Sequence, residues 1–254
     1  MRGFAVGVGA AAVAAAVALV SGCAPRPLAL PRSAKAPMLY VALGDSTVEG
    51  IGASSPAATY VARIHTRLLG VYPRAAVINL GVGGATSADV VADQLGRAIL
   101  MRPNLVTVSI GPNDITARVP EAEYERNVET IFRRLTGEIR AVVVVNLLPD
   151  LAVTPRFRGK EAEPAVARLT IEFNAALARQ GRRYGVEVID LYGPSRVEVP
   201  RRPELLAADG YHPSDLGYAR WAELLWVGVE RRIKRRAAVP NTTPVAIVQG
   251  ARES

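Results

Sequence analysis

Short, continuous apolar runs alternate with longer stretches of helical periodicity along most of the chain. The runs are Met38–Leu43, Ala76–Leu80, Leu105–Ile110, Ala141–Leu148 and Val186–Leu191. They are mainly continuous rather than alternating, so they predict strands covered on both faces. Ala57–Leu69, Thr86–Met101, Glu121–Gly137, Pro164–Tyr184 and Leu216–Arg235 predict helices. In the first of these, Tyr60, Val61, Ile64 and Leu68 recur at helical spacing. Strand and helix in alternation predict an α/β fold, a three-layer α/β/α sandwich around a parallel sheet. Right-handed crossovers then bring every strand's carboxyl end to one edge.

Polar and glycine-rich segments fall just after those strands. Gly44-Asp45-Ser46 follows the first, Gly81-Val82-Gly83-Gly84-Ala85-Thr86-Ser87 the second, and Gly111-Pro112-Asn113-Asp114 the third. Asp209-Gly210-Tyr211-His212-Pro213 lies beyond the fifth and just before the last helix. Ligands of open parallel sheets bind at the carboxyl ends of the strands, so the four clusters are expected to meet there.

Together they offer the parts of an acyl-transfer site: a serine nucleophile, a histidine base and an orienting carboxylate. The chain has two histidines. His65 lies within a predicted helix with no acid near it in sequence, which leaves His212 as the base. Asp209, three residues earlier across a glycine bend, is the expected partner. Asp215 is an alternative that reads better as a first-turn helix residue. Asp45 or Ser46 could simply cap the helical turn that follows. At the start of such a turn, Ser46 would also have free backbone N–H groups beside it. Asn113 is either a turn residue or an oxyanion donor. The glycines at 81, 83 and 84 serve a tight turn or a close approach of backbone to substrate. The loop lacks dinucleotide-binding spacing, and no Walker sequence exists in the chain.

Bulk composition adds limits. The 254 residues fit one domain with appendages, and the formal charge is +8. The arginines are scattered except for Arg231-Arg232-Ile233-Lys234-Arg235-Arg236, which reads as a solvated helix end suited to the dipole. A secondary role against anionic lipid headgroups is compatible with it. Nucleic-acid binding is not expected, because no motif or aromatic interleaving accompanies the charge. The single cysteine, Cys23, excludes an internal disulfide. Residues 1–22 begin with Met1-Arg2, continue as an Ala/Val/Gly run and end in small residues, which is the pattern of a secretory signal. Residues 23–37 hold four prolines and predict an extended tether, and residues 237–254 a disordered tail.

Two resemblances follow. Leu19-Val20-Ser21-Gly22-Cys23 looks like a bacterial lipobox, which implies that Cys23 is lipidated and anchors the chain at the cell envelope, outside the cytoplasm. An ordinary cleaved signal with an incidental cysteine is the alternative. Leu43–Gly50, Asn79–Ser87, Gly111–Asp114 and Asp209–Ser214 together resemble the blocks of the SGNH (GDSL-type) hydrolase family, over roughly residues 38–233. That resemblance implies a flavodoxin-like five-stranded sheet of order 2-1-3-4-5 and a domain over 38–236. It implies catalysis by Ser46, His212 and Asp209, with an oxyanion hole of Ser46, Gly84 and Asn113; Gly81 is the less favoured glycine. No metal or cofactor is implied, and a monomer is expected. The implied function is a serine esterase or lipase-like hydrolase acting on a small-molecule, glycan or lipid ester. A glycan O-deacetylase or acyltransferase and a non-catalytic binding lipoprotein are the alternatives. Specificity is expected to reside in the Pro- and Arg-rich loops 149–163 and 192–208.

Overall fold

A computed structural model describes residues 29–139 and 141–238. The expected leader, Cys23 and the tail beyond residue 238 lie outside the described residues. Five parallel strands form one sheet in the order β2-β1-β3-β4-β5, the predicted topology. They are β1 (Met38–Gly44), β2 (Ala75–Asn79), β3 (Leu105–Ser109), β4 (Val142–Asn146) and β5 (Glu187–Ile189). The helices are α1 (Ser46–Glu49), α2 (Tyr60–Leu69), α3 (Ser87–Asp89), α4 (Leu95–Met101), α5 (Pro112–Thr116), α6 (Glu121–Gly137), α7 (Glu163–Tyr184), α8 (Tyr192–Glu198) and α9 (Asp215–Ala238).

The central strands are buried throughout, because both faces are covered. Successive side chains leave a strand on opposite faces. Val41, Leu43, Val106, Val108, Val143 and Val145 pack with Tyr124, Val128, Phe132 and Phe173 of α6 and α7. Tyr40, Ala42, Val142 and Val144 pack with Tyr60, Ile64, Tyr218 and Leu225 of α2 and α9. The edge strand β2 is only partly covered.

Four expectations are corrected. The helix expected over Thr86–Met101 is interrupted by a π-helical turn at Val90–Gln94, between α3 and α4. Residues 57–59 stay out of α2, which is capped by the Thr59 hydroxyl accepting from Ala62 N at 3.2 Å. Ala237 and Ala238, assigned to the tail, continue α9. The tether boundary at Met38 falls too late: Leu30 is 2% exposed, in the cluster between the sheet and α2. The Tyr72 hydroxyl donates to Pro31 O at 3.0 Å beside it. A proline-rich segment predicts extended backbone but cannot reveal that one leucine finds a vacancy in the core.

The basic end of α9 is likewise more than solvated. Arg231 and Arg232 both pair with Glu187 at the start of β5, and Arg235 stands 3.9 Å from the same carboxylate. The Glu187 side chain is 6% exposed, so the arginines serve a buried charge that would otherwise be costly.

Truncating Leu30→Ala should destabilise the full chain by about 2–5 kcal/mol, the usual range for a buried leucine. Urea unfolding measures this; a loss within error would mean that residues 29–37 contribute nothing to the fold.

Candidate active site

β1 ends against its neighbour. Gly44 has a φ of 146°, and a Cβ there would lie 1.9 Å from Ser109 O, so no other residue fits. The chain then turns directly into α1. Asp45 N donates to Ser109 O at 3.3 Å, and Asp45 Oδ1 accepts from Thr47 N at 2.9 Å and Thr47 Oγ1 at 2.8 Å. Asp45 is therefore the cap, and Ser46 is the first helical residue. Of the two residues that could have capped the turn, Asp45 does so, and Ser46 stands at its start.

Across the sheet edge, Asp209 closes a short turn. Its Oδ1 accepts from Tyr211 N at 2.9 Å and from His212 N at 3.0 Å, with Gly210 at φ 65° making the bend. Its Oδ2 lies 2.6 Å from His212 Nδ1. A carboxylate there fixes the ring so that Nδ1 carries the proton and Nε2 accepts. Ser46 Oγ lies 2.9 Å from that Nε2. Residues 166 apart in the chain thus form one hydrogen-bonded line. Asp215 is not part of it: it accepts from Ser54 N and Oγ instead. His65 is also elsewhere, with Nε2 3.0 Å from Ala75 O.

The carboxylates differ in environment. Burial pushes Asp45 up to about 6, against the two bonds from Thr47. Partial burial also works against the charge on Asp209. The bonds from the His212 ring and from the Tyr211 and His212 amides, with the attraction of the imidazole, outweigh it and hold that carboxyl below its ordinary value. The carboxyl that bonds the His212 ring is thus the one whose charged form is favoured.

Two further loops meet at Ser46. In the glycine loop, Gly81 N donates to Asn79 Oδ1 at 2.9 Å and Gly83 N to Glu49 Oε2 at 2.6 Å. Among the described residues, nothing accepts from the N–H of Gly84 or Ser46. Asn113 Nδ2 donates to Ala85 O at 2.9 Å, which leaves one of its two amide hydrogens. Ser46, Gly84 and Asn113 thus each keep a donor without an acceptor among the described residues, and Gly81 does not.

Sequence reasoning missed what holds these loops. Asp114 is fully buried and accepts from Ser87 N at 2.9 Å and Ser87 Oγ at 2.5 Å, while Asn127 Nδ2 donates to Ser87 Oγ at 3.0 Å. This joins the loop after β3 to the loop after β2 and to α6. Burial, partly offset by the Ser87 bonds, raises Asp114 to about 6. Its place beside Asn113 was a signal, but its partners were not.

A pocket opens beside Ser46 and His212, with about 830 Å³ of space counting its mouth. Leu151, Leu191, Val199, Leu205, Leu206 and Trp221 dominate its wall. The walls come from the segments 149–154, 191–199 and 205–213, and from α9. The two loops expected to carry specificity are therefore its sides, although α8 was not anticipated within the second. Of their arginines, Arg156 stacks over the Tyr211 ring, 4.6 Å from its centroid. Arg196 lies 3.9 Å from Asp150, and Arg202 pairs with Glu204. Among the described residues no cluster of three or more His, Cys, Asp or Glu could hold a metal, and no helix is long and apolar enough to cross a membrane.

Residues 42–220 match the model of the GDSL-like Lipase/Acylhydrolase family. A GDSL-like esterase of Mycobacterium tuberculosis, Rv1075c, is 31% identical over 213 residues, which are 79% of this chain and 65% of that protein. The chain thus spans about two thirds of the relative's length. Among solved structures, the hydrolase LAE5 from the metagenome of Lake Arreo, Spain, superposes with a TM-score of 0.63 at 21% identity, covering 78% of this chain and 97% of that one. An acetylxylan esterase from Geobacillus stearothermophilus, Axe2, gives 0.62 at 22% identity, covering 78% and 95%. These similarities show the fold.

Between 3.8 and about 6, the folded chain keeps a proton on Asp45 that the unfolded chain has released. Stability from this group therefore falls as pH rises through that window. Asp45→Asn keeps the acceptor for Thr47 and removes the titration. Its stability relative to wild type should improve from the acid to the neutral end of the window, as read by urea unfolding at both. A difference independent of pH would show that Asp45 titrates normally.

Proposed function

Because the chain belongs to the GDSL-like lipase/acylhydrolase family, we propose that it hydrolyses carboxylic esters of apolar acyl groups through an acyl-enzyme on Ser46, with no metal or bound cofactor. The hydrogen-bonded line Ser46–His212–Asp209 carries this reading. His212 Nε2 removes the hydroxyl proton as Ser46 Oγ attacks the ester carbonyl. The carbonyl electron pair moves onto oxygen, where the N–H groups of Ser46 and Gly84 and the Asn113 amide hold it. Asp209 stabilises the imidazolium that forms. When the intermediate collapses, His212 returns the proton to the departing alcohol oxygen. Water then enters by the same route in reverse and frees the acid and Ser46.

The pocket supports an acyl group of some length. Its wall follows α9 from Gly217 to Leu224, about 10 Å of helix, and is mostly aliphatic. An aliphatic wall suits a hydrocarbon chain better than the hydroxyl-rich sugar of an O-deacetylase substrate. The leader and the residues around Cys23 support work at the cell envelope, with the chain held to a membrane through a lipidated Cys23.

Ser46→Ala should reduce turnover to background, and Asn113→Ala should lower kcat by about 10²–10³. Across acetyl, butyryl, octanoyl and palmitoyl esters, kcat/KM should rise beyond acetyl. Leu224→Trp, which narrows the pocket, should lower octanoyl turnover more than acetyl. A preference for acetyl esters that Leu224→Trp does not alter would overturn the acyl assignment. Full activity in Ser46→Ala would overturn the mechanism.

A further inference from the structure

We propose that Gln94 is a positioning residue for the nucleophile. It acts through a two-point clamp on the backbone of Gly44, and this rests on the reading of Ser46 as the nucleophile. Gly44 N donates to Gln94 Oε1 at 2.9 Å, and Gln94 Nε2 donates to Gly44 O at 2.8 Å. The side-chain amide thereby replaces the neighbouring strand. The β1–β2 ladder ends at the pair Ala42–Asn79, two residues short of Gly44. Without Gln94, the Gly44 N–H would face the apolar cluster of Leu43, Leu80, Val90 and Leu95 with no partner.

Three observations separate this clamp from ordinary packing. Gln94 is 1% exposed, and a leucine or methionine would fill the same space, so the amide is there for its bonds. It ends the π-helical turn Val90–Gln94, an insertion within a helix of the kind concentrated at functional sites. The residue it grips immediately precedes Asp45 and Ser46. Gly44 O also accepts from Val82 N at 3.1 Å. Gln94 thus steadies the same carbonyl through which the start of α1 is tied to the loop carrying Gly84, and so helps to set the Ser46 and Gly84 N–H groups relative to one another. The pocket wall is built from other elements and does not include Gln94. Loosening the clamp should therefore reduce the rate of acylation and leave substrate affinity nearly unchanged.

The test titrates the full chain with an alkyl fluorophosphonate. It records both the number of reactive serines and the rate constant per reactive site, alongside kcat and KM for an octanoyl ester. Gln94→Met removes both bonds at similar volume. Gln94→Leu likewise removes both bonds, with a slightly smaller side chain. Each should retain reactive sites but label them about 10²-fold more slowly, as a misplaced nucleophile does, with kcat reduced and KM held. Counting sites separates misfolded molecules from mispositioned ones. If either variant loses sites while those remaining label at the wild-type rate, Gln94 is structural only and the proposal fails. If the wild type itself neither labels nor hydrolyses, the nucleophile assignment fails and this proposal with it.

Discussion

The contact between Gly44 and the Ser109 carbonyl is the constraint from which the site follows. The inner strand β1 keeps its register with β3 to its last residue, pairing Gly44 with Ser109, although its ladder with β2 stops at Ala42. With no side chain at Gly44, the backbone passes close enough for Asp45 N to bond Ser109 O and for α1 to begin at once. Ser46 is thus carried directly on a buried strand end rather than on a free loop. A position fixed this firmly is what allows a hydroxyl to remain 2.9 Å from an imidazole supplied by a turn 166 residues away.

Charge is distributed by the same geometry. Three aspartates surround the site, and burial decides what each can do. Asp45 and Asp114 lie inside the protein, where desolvation exceeds the benefit of their hydrogen bonds and both rise to about 6. Their work is architectural: one starts α1 and the other fastens two loops. Asp209 keeps its side chain 45% exposed and gains three hydrogen bonds from its own turn, so it stays ionised beside His212. Asp45 is the nearer acid to Ser46 in sequence, yet its bonds go to Thr47, and it is Asp209 that meets the His212 ring.

The fold was readable because parallel strands buried on both faces leave continuous apolar runs, and chain order then limits the topology. The site was readable to the extent that its residues sit beside strand ends: Ser46, Gly84, Asn113, Asp209 and His212 were all named from the sequence, and the fold brings their segments to one edge. What escaped was every interaction whose two halves lie far apart without a shared pattern. Gln94 looks like one polar residue in a helix, and only the π-helical turn swings its amide onto Gly44, 50 residues earlier. Ser87 and Asn127 carry no mark that they meet at Asp114. Leu30 is a leucine between prolines, and Glu187 an acid opening an apolar strand. Each is explained by a partner that periodicity does not name.

In the proposed reaction, chemistry and specificity are therefore carried by different parts of the molecule. Ser46 and the loops around it hang from β1 and β3, buried inside the sheet, and from the edge strand β2. The pocket is walled by the segments after β4 and β5 and by α9, where the packing is local. The Ser195 hydroxyl accepts from Asp150 N at 2.8 Å, and Glu198 binds Arg220 through two nitrogens of the guanidinium. These bonds join one pocket wall to the next without touching Gly44, Gln94 or Asp114. The two parts meet at the pocket: Ser46, Thr47 and Pro112 reach it from the first, and the His212 turn forms wall on one side and meets Ser46 on the other. Changes in the outer segments can therefore reshape the acyl pocket while the strand ends keep their geometry. The exception is the Asp209–His212 turn, where a change in the wall would also move the base.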